Sequence, residues 1–361
     1  MPSELQSELR NLWKKYRPAL SDDLLDVYFS ETYNPANLCM SRNEAGEMTA
    51  CCQMLMRRMT FFDHSISIGI LTALAIDTNL KAAERKEAAR NVIARQHQRM
   101  AQKGALISMA FPADNEERQL LESCGYHTAS HIIEADPQVP ETSTTDDSLT
   151  VAEETEWGRD IWTFYNRNGG GHDFEMKMDE GDFFALIAQN DAAGGCLIVA
   201  RRRGRIAGLA LARREGKPLK SGKPSSKIFR TRIPFILAIQ EDIFYALLRY
   251  AGSTHNDCKQ TVVSTACPLK GFEGSRPYAM ARAIRAEEFL AEMARITPGL
   301  QLEIGIGNDE DLPENNGSYR LRNGRCYSNA TCSSSTTTPG GIPAIFMAGH
   351  PTVIPPVFLW E

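Results

Sequence analysis

The chain has 361 residues, of which 42% are hydrophobic and 24% charged, the proportions of an ordinary globular protein with room for two or three domains. A formal net charge of −5 argues against a general nucleic-acid binder, which would carry a basic field, and no apolar run approaches the roughly 18 residues of a membrane span. The polar, amphipathic stretch 1–20 argues against a signal peptide, and nine scattered cysteines without a CxxC pair read as free thiols of a reducing cytoplasm rather than a zinc site.

Residues 4–30 have helical spacing in Leu5, Leu9, Leu12, Leu24, Leu25 and Val27. Pro18 interrupts the pattern, and Ser21 followed by Asp22 and Asp23 marks a second start. Residues 36–76 read as strands at 37–40, 49–56 and 67–76, with turns at 43–46 and near Asp63. A long helix follows, with Ala88, Ala89, Val92, Ile93, Gln96 and Met100 on one stripe and Gly104 at its C-terminal end. Then come a buried strand at 105–110, a short helix at 116–123, a turn at Cys124-Gly125-Tyr126 and a strand at 128–134.

Residues 135–149 have the composition of a linker. A second unit over 150–272 reads as helices at 155–165 and 179–190, a strand at 196–201, a tight turn at Arg203-Gly204 and a strand at 206–212. The basic stretch 213–228 reads as an exposed loop. Residues 236–252 read as a short strand and a helix, and 261–266 as a strand. The third unit begins at Arg276, has a helix-like run at 287–295 and reads at 312–326 as two strands around a turn built on Asn315-Asn316-Gly317. The Ser/Thr-rich residues 327–338 read as mobile.

Several isolated features have ordinary explanations. Asn168-Gly169-Gly170-Gly171-His172 follows no strand and precedes no Lys-Ser/Thr pair, so it is a connector and not a phosphate loop. Arg201-Arg202-Arg203 at a hairpin is a solvated surface or an anion patch. His64, His127 and His131 lack metal-ligand spacing, so no metal site is expected. Cys51, Cys52 and Cys124 have no identifiable His/Asp partner that would make one a nucleophile. Asp22, Asp23 and Asp26 read as a solvated helix start, with attraction of a cationic substrate as the alternative.

The segment Arg276-Pro277-Tyr278-Ala279-Met280-Ala281-Arg282, the helix after it and Leu312–Cys326 together resemble the C-terminal, sterol-carrier-like domain of a bacterial group of GNAT acetyltransferases related to the Eis-type aminoglycoside acetyltransferases. In the first unit, Phe111-Pro112-Ala113-Asp114 is similar to that family's Ile-Pro-Ala-Glu-like segment, and Leu121-Glu122-Ser123-Cys124-Gly125-Tyr126 to its Tyr-x-x-Phe-Gly-Tyr. The resemblance implies an α/β (α+β) chain of three domains. Tandem GNAT-like mixed sheets with flanking helices would lie at 1–136 and, degenerate, at 150–272; a sterol-carrier-protein-like α+β domain would follow at 276–361. It also implies acetyl-CoA as donor, a small-molecule or protein amine as acceptor, and assembly into homo-oligomers.

Carried over residue by residue, the resemblance implies cofactor binding by Asp77, Thr78 and Asn79 and by Arg85, Lys86, Ala88, Ala89 and Arg90. The family's Arg-Gly-x-Gly loop, which brings backbone N–H groups to the pyrophosphate, aligns with Glu84–Ala89, and both glycines are missing. Acidic Glu84 and Glu87 stand there instead, and they suit a helix start that holds no anion. The proton-donating tyrosine of such enzymes aligns with Leu121, and Tyr126 matches a packing tyrosine. The terminal carboxylate, a base in the Eis-like enzymes, corresponds to Glu361, carried on the apolar run Val357-Phe358-Leu359-Trp360. Three functions stay open: an acetyl-CoA-dependent N-acetyltransferase, a non-catalytic binding or regulatory relative, and an apolar-ligand binder. The missing glycines and Leu121 weigh against the first and keep the second in play.

Overall fold

The computed structural model describes residues 3–140, 148–218, 227–266, 274–329 and 336–353. The chain opens with α1 (Glu4–Tyr16), capped by Ser3, and α2 (Asp22–Val27), capped by Ser21, whose hydroxyl accepts from the Leu24 N–H. Asp22 and Asp26 of α2 pair with Lys14 and Arg10 of α1, so these acids bind the two helices together.

Strands β1 (Leu38–Arg42), β2 (Met48–Phe61) and β3 (His64–Ile76) form an antiparallel meander. Helix α3 (Ala82–Gln102) crosses back, and β4 (Ile107–Ala110) lies parallel to β3, with Ile68 opposite Ile107 and Leu71 opposite Ala110. Neighbouring parallel strands are what the strand–helix–strand order and the resemblance to a GNAT-like sheet imply. The predicted apolar stripe of α3 is buried in full and packs on one face of the sheet. The approach is close: a Cβ at Gly69 would lie 2.5 Å from the Met100 sulfur. Helix α4 (Asn115–Ser123) follows, capped by Asp114.

The expected strand at 128–134 is two strands in two sheets. β5 (His127–Thr128) ends the first sheet, and β6 (His131–Ala135) belongs to the second. The amides of Ala129 and Ser130 both donate to the Ala279 carbonyl where the chain crosses over.

The second unit comprises β7 (Leu149–Glu154), α5 (Arg159–Asn168), β8 (Phe174–Met176), α6 (Glu180–Ala192), β9 (Gly195–Arg202), β10 (Arg205–Pro218), β11 (Lys227–Ala238), α7 (Glu241–Thr254) and β12 (Thr261–Thr265). Its meander β9-β10-β11, then a helix, then β12 parallel to β11 repeats the plan of β1-β2-β3-α3-β4. The expected loop at 213–228 is instead a hairpin continuing through β10 and β11. Its polar composition hid cross-strand pairing: Glu215 accepts from Arg230 and from Arg232, and Arg214 stacks on Phe229. The tip, 219–226, lies outside the described residues.

The last part holds β13 (Arg276–Pro277), β14 (Met280–Ala283), α8 (Ala286–Ile296), β15 (Leu302–Ile306), β16 (Gly317–Arg322), β17 (Arg325–Asn329), β18 (Thr336–Thr337), α9 (Gly341–Met347) and β19 (Thr352–Val353). A four-stranded sheet, β17-β16-β15-β18, carries α8. The hairpin turn is at Asn323-Gly324, where φ is 51° and 72°, and not at Asn315-Asn316-Gly317. Pro313–Asn315 is a short 3-10 turn, and Gly317 opens a strand.

The units exchange strands across the boundaries drawn from sequence. The first sheet runs β19-β8-β2-β3-β4-β14-β5, with β1 also on β2, so β8 comes from the second unit and β14 and β19 from the third. β14 is wedged antiparallel between β4 and β5. Opposite α3, the sheet is covered by α1 and α8 through Leu9, Leu12, Trp13, Phe289, Leu290 and Met293.

Candidate active site

Strands β3 and β4 stop pairing at Leu71 and Ala110. β3 continues to Ile76 through Ala73, which takes a left-handed φ of 52° at a bulge, while the chain after β4 turns away into α4. The gap opens a cleft of about 380 Å³. Ile76 and Thr78 line it from the end of β3, Ala82, Arg85 and Lys86 from the start of α3, and Tyr16 and Arg17 from the end of α1. The start of α4 supplies Asp114, Glu116, Glu117, Gln119 and Leu120.

Of the eight expected cofactor residues, Thr78, Arg85 and Lys86 line this cleft. Asp77 and Asn79 form the adjoining turn, in which the Asp77 carboxylate accepts from the Asn79 N–H at 3.0 Å. Ala88 and Ala89 are buried under α3, and Arg90 turns away to pair with Glu310 at 3.3 Å. Arg90 instead lines a second cavity, of about 230 Å³, beside Arg282 and Asp309–Asp311. Glu361, Phe358 and Trp360 lie outside the described residues.

Helix α3 begins at Ala82, so residues 84–89 are helix and the turn leading into it is 77–81. Glu84 occupies the third helical position, and its carboxylate accepts from the Lys81 N–H at 3.2 Å. Glu87 lies beyond the first turn. The N–H groups of Ala82–Glu84 belong to the turn that a helix leaves unpaired, and Ala82 lines the cleft. Arg85 reaches Glu116 only at 3.9 Å, and its buried Nε has no hydrogen-bond partner. The cleft thus offers an anion a helix terminus, a guanidinium with unused donors and the Lys86 ammonium, opposed by Glu84 at the helix start and by Asp114 and Glu116 on the facing wall.

The other wall holds residues that the sequence did not single out. Glu117 is 5% exposed. It accepts from Tyr16 Oη at 2.9 Å, from Arg17 at 2.6 Å and from the Ala113 N–H at 2.9 Å. Burial, followed by the charge of Glu117 and the hydrogen bond to it, pushes the Tyr16 phenol far above its ordinary range, so it stays protonated. Leu121 lies one turn after Glu117, buried among the apolar residues beneath α3.

Tyr126 is away from this cleft. Its hydroxyl lies 2.6 Å from Ser108 Oγ and 2.9 Å from His97 Nε2; His97 Nδ1 lies 2.8 Å from Asp311. Arg282, 2% exposed on β14, completes the chain. It donates to both oxygens of Asp309 at 2.7 Å, to Asp311 at 3.2 Å and to the Cys124 carbonyl at 2.6 Å. Burial, assisted by Arg282, lowers His97 to about 4, so the ring is neutral at pH 7. Nδ1–H then donates to Asp311, Nε2 accepts from Tyr126 and Ser108 donates to Tyr126.

The remaining candidates are structural. Burial pushes the Cys51 thiol up to about 12 and Cys124 up to about 11, the opposite of an activated nucleophile. Arg201 pairs with Glu154, and Arg202 with Gln240 and Asp242. These last two close the start of α7, the second unit's counterpart of α3. Among the described residues no group of three or more His, Cys, Asp or Glu could hold a metal, and no helix is long and apolar enough to cross a membrane.

No family model and no curated protein matches the chain in sequence. Solved structures do match in fold. A GCN5-related N-acetyltransferase from Anabaena variabilis superposes with a TM-score of 0.66 at 12% identity, over 96% of this chain and 88% of that one. Eis1 from Mycobacterium abscessus gives 0.66 at 12%, over 97% and 88%. N-myristoyltransferase from Saccharomyces cerevisiae, solved with myristoyl-CoA, gives 0.51 at 8%, over 78% and 76%. With the splayed parallel strands, the crossing helix and the repeated meander, these likenesses establish an Eis-like GNAT fold for this chain.

Proposed function

We propose that the first unit binds an acyl-CoA, with acetyl-CoA as the donor, and transfers its acyl group to a small-molecule or protein amine. The observation that carries this reading is the cleft itself, where two parallel strands separate and open onto the first turn of α3 beside Arg85 and Lys86. A strand that runs on past its partner's pairing offers an edge to an extended, amide-containing chain such as pantetheine. The helix start and the two cations suit the pyrophosphate. The structural relative named as a GCN5-related N-acetyltransferase, and the yeast N-myristoyltransferase solved with myristoyl-CoA, support the same chemistry.

A second reading, a binding module without turnover, is favoured by two observations. Glu84 caps the helix where the phosphates would dock, and Leu121 replaces the family's proton donor with a buried alkyl group. The transferase reading requires acyl-CoA to bind, and Glu84 tests that requirement. A carboxylate about 4 Å from a phosphate charge costs about 1 kcal/mol in water and about 4 at intermediate dielectric. Glu84→Gln is therefore expected to tighten acetyl-CoA roughly 5- to 30-fold, or about 1–2 kcal/mol, as read by calorimetric titration. An unchanged or weaker affinity would place the phosphates elsewhere. Glu87→Gly would not restore a phosphate loop, because a glycine inside the helix costs about 1 kcal/mol and frees no backbone.

A further inference from the structure

The first unit lacks the tyrosine of α4 that the resemblance led us to expect, yet a phenol reaches the same cleft from another element. Resting on the acyl-transfer reading above, we propose that Tyr16 of α1 and Glu117 of α4 form the proton shuttle of this site, replacing the donor lost at Leu121. Glu117 and Leu121 are four residues apart on α4 and so share one face of the helix. Tyr16 places its hydroxyl 2.9 Å from Glu117 Oε1, and both residues line the cleft between the end of β3 and the start of α3.

Acyl transfer to an amine has three proton requirements. The nucleophile must be a neutral amine, the ammonium formed on attack must lose a proton, and the departing thiolate must gain one. Here the amine nitrogen bonds to the thioester carbon and the carbon–sulfur bond breaks. The proton from nitrogen goes to Glu117, the Tyr16 hydroxyl proton goes to sulfur, and Glu117 returns its proton to the Tyr16 oxygen. The sum is amide plus thiol, with enzyme unchanged and no other reactant. The hydrogen bond already joining the two residues is the path of the return step. Burial beside a charged carboxylate holds Tyr16 protonated in the resting site, and the amine's proton, by neutralising Glu117, removes the charge that opposes release of the phenol proton to the departing thiolate. Arg17, 2.6 Å from the same carboxylate, fixes Glu117 against α1.

The arrangement also has a purely structural explanation, since Tyr16 and Arg17 dock α1 on α4. The test must therefore separate chemistry from docking. Thiol release from acetyl-CoA would be followed with a panel of primary amines for wild type, Tyr16→Phe and Glu117→Gln, alongside acetyl-CoA affinity and thermal stability. Tyr16→Phe keeps the ring and removes one hydroxyl. It is expected to lower kcat about 100-fold or more and to leave acetyl-CoA affinity within about threefold. Glu117→Gln is expected to lower kcat similarly, again without a matching change in acetyl-CoA affinity. Full activity in Tyr16→Phe, or a loss confined to KM and stability, would overturn the shuttle while leaving acyl transfer intact. Binding of acetyl-CoA without thiol release from wild type would remove both the transferase reading and the shuttle.

Discussion

Replacing Arg282 with alanine is expected to destabilise the protein by about 3–5 kcal/mol, the range for removing one partner of a buried ion pair. Arg282 is 2% exposed and Asp309 4%. The substitution leaves two carboxylates, Asp309 and Asp311, facing a cavity without their cation, and it strips the Cys124 carbonyl of its donor. Asp309 keeps hydrogen bonds from the Leu312 N–H and from Asn315, which limits the loss. The damage reaches beyond one side chain, because Arg282 lies on the strand wedged between β4 and β5 and ties the end of α4 and the 309–311 loop to it. Urea unfolding would give the value. Arg282→Met combined with Asp309→Asn is expected to recover part of it, since one of the two charges left uncompensated is then gone. A loss under about 1 kcal/mol would mean that water reaches the pair and relieves it.

Acid is expected to weaken the same network in a defined window. His97 titrates near 6.5 when unfolded and about 4 when folded, so between these values the unfolded chain binds a proton that the native ring refuses. Stability is complete above about pH 7, falls as pH drops toward 4, and the total loss from this group is roughly 3 kcal/mol. Asp311 adds to it at the acid end. Burial raises that carboxyl, but the hydrogen bond from His97 and the Arg282 charge outweigh burial and hold it below its ordinary range. Folded, it stays charged, and its contribution disappears as it protonates. Around His97 the facing groups are Asp311 and Asp309 on one loop, Arg282 on β14 and Tyr126 after α4. Urea midpoints across pH 4.5 to 7.5 should therefore slope upward in wild type. In His97→Gln, which retains a hydrogen-bonding side chain without a titrating ring, the slope should flatten. An equal slope in both proteins would assign the acid sensitivity to surface carboxylates.

The local elements were legible in the sequence where the signal was local. The stripe on α3 is long, periodic and ended by Gly104, and it is buried as predicted. Ser21 and Asp114 start their helices. The parallel pairing of β3 and β4 followed from strand–helix–strand order and from the resemblance. Pairing across long separations left little mark. β14 is four residues long, carries an arginine at its centre, and meets β4 some 170 residues earlier in the chain. β8 is three residues long. The last hairpin contained two Asn-Gly pairs that fit a tight turn equally well. The inward placement of Tyr319 and Leu321 on β16 settles the choice for Asn323-Gly324.

The site shows the same division. Arg85, Lys86 and Leu121 could be aligned by motif order. Tyr16 and Glu117 could not, because α1 and α4 are a hundred residues apart and each residue reads alone as part of a polar helix end. Arg90 shows why register matters: five residues after Arg85 it faces another cavity.

Titration of acetyl-CoA into wild type and into an Arg85→Glu/Lys86→Glu variant tests most directly whether the cleft of the first unit is an acyl-CoA site. We expect wild type to show one saturable site per chain with a Kd above the low micromolar range, weaker than about −8 kcal/mol, because Glu84 opposes the phosphates. The charge-reversed variant should show no saturation. No heat with wild type at millimolar acetyl-CoA, or equal affinity in the two proteins, would contradict the assignment of this cleft.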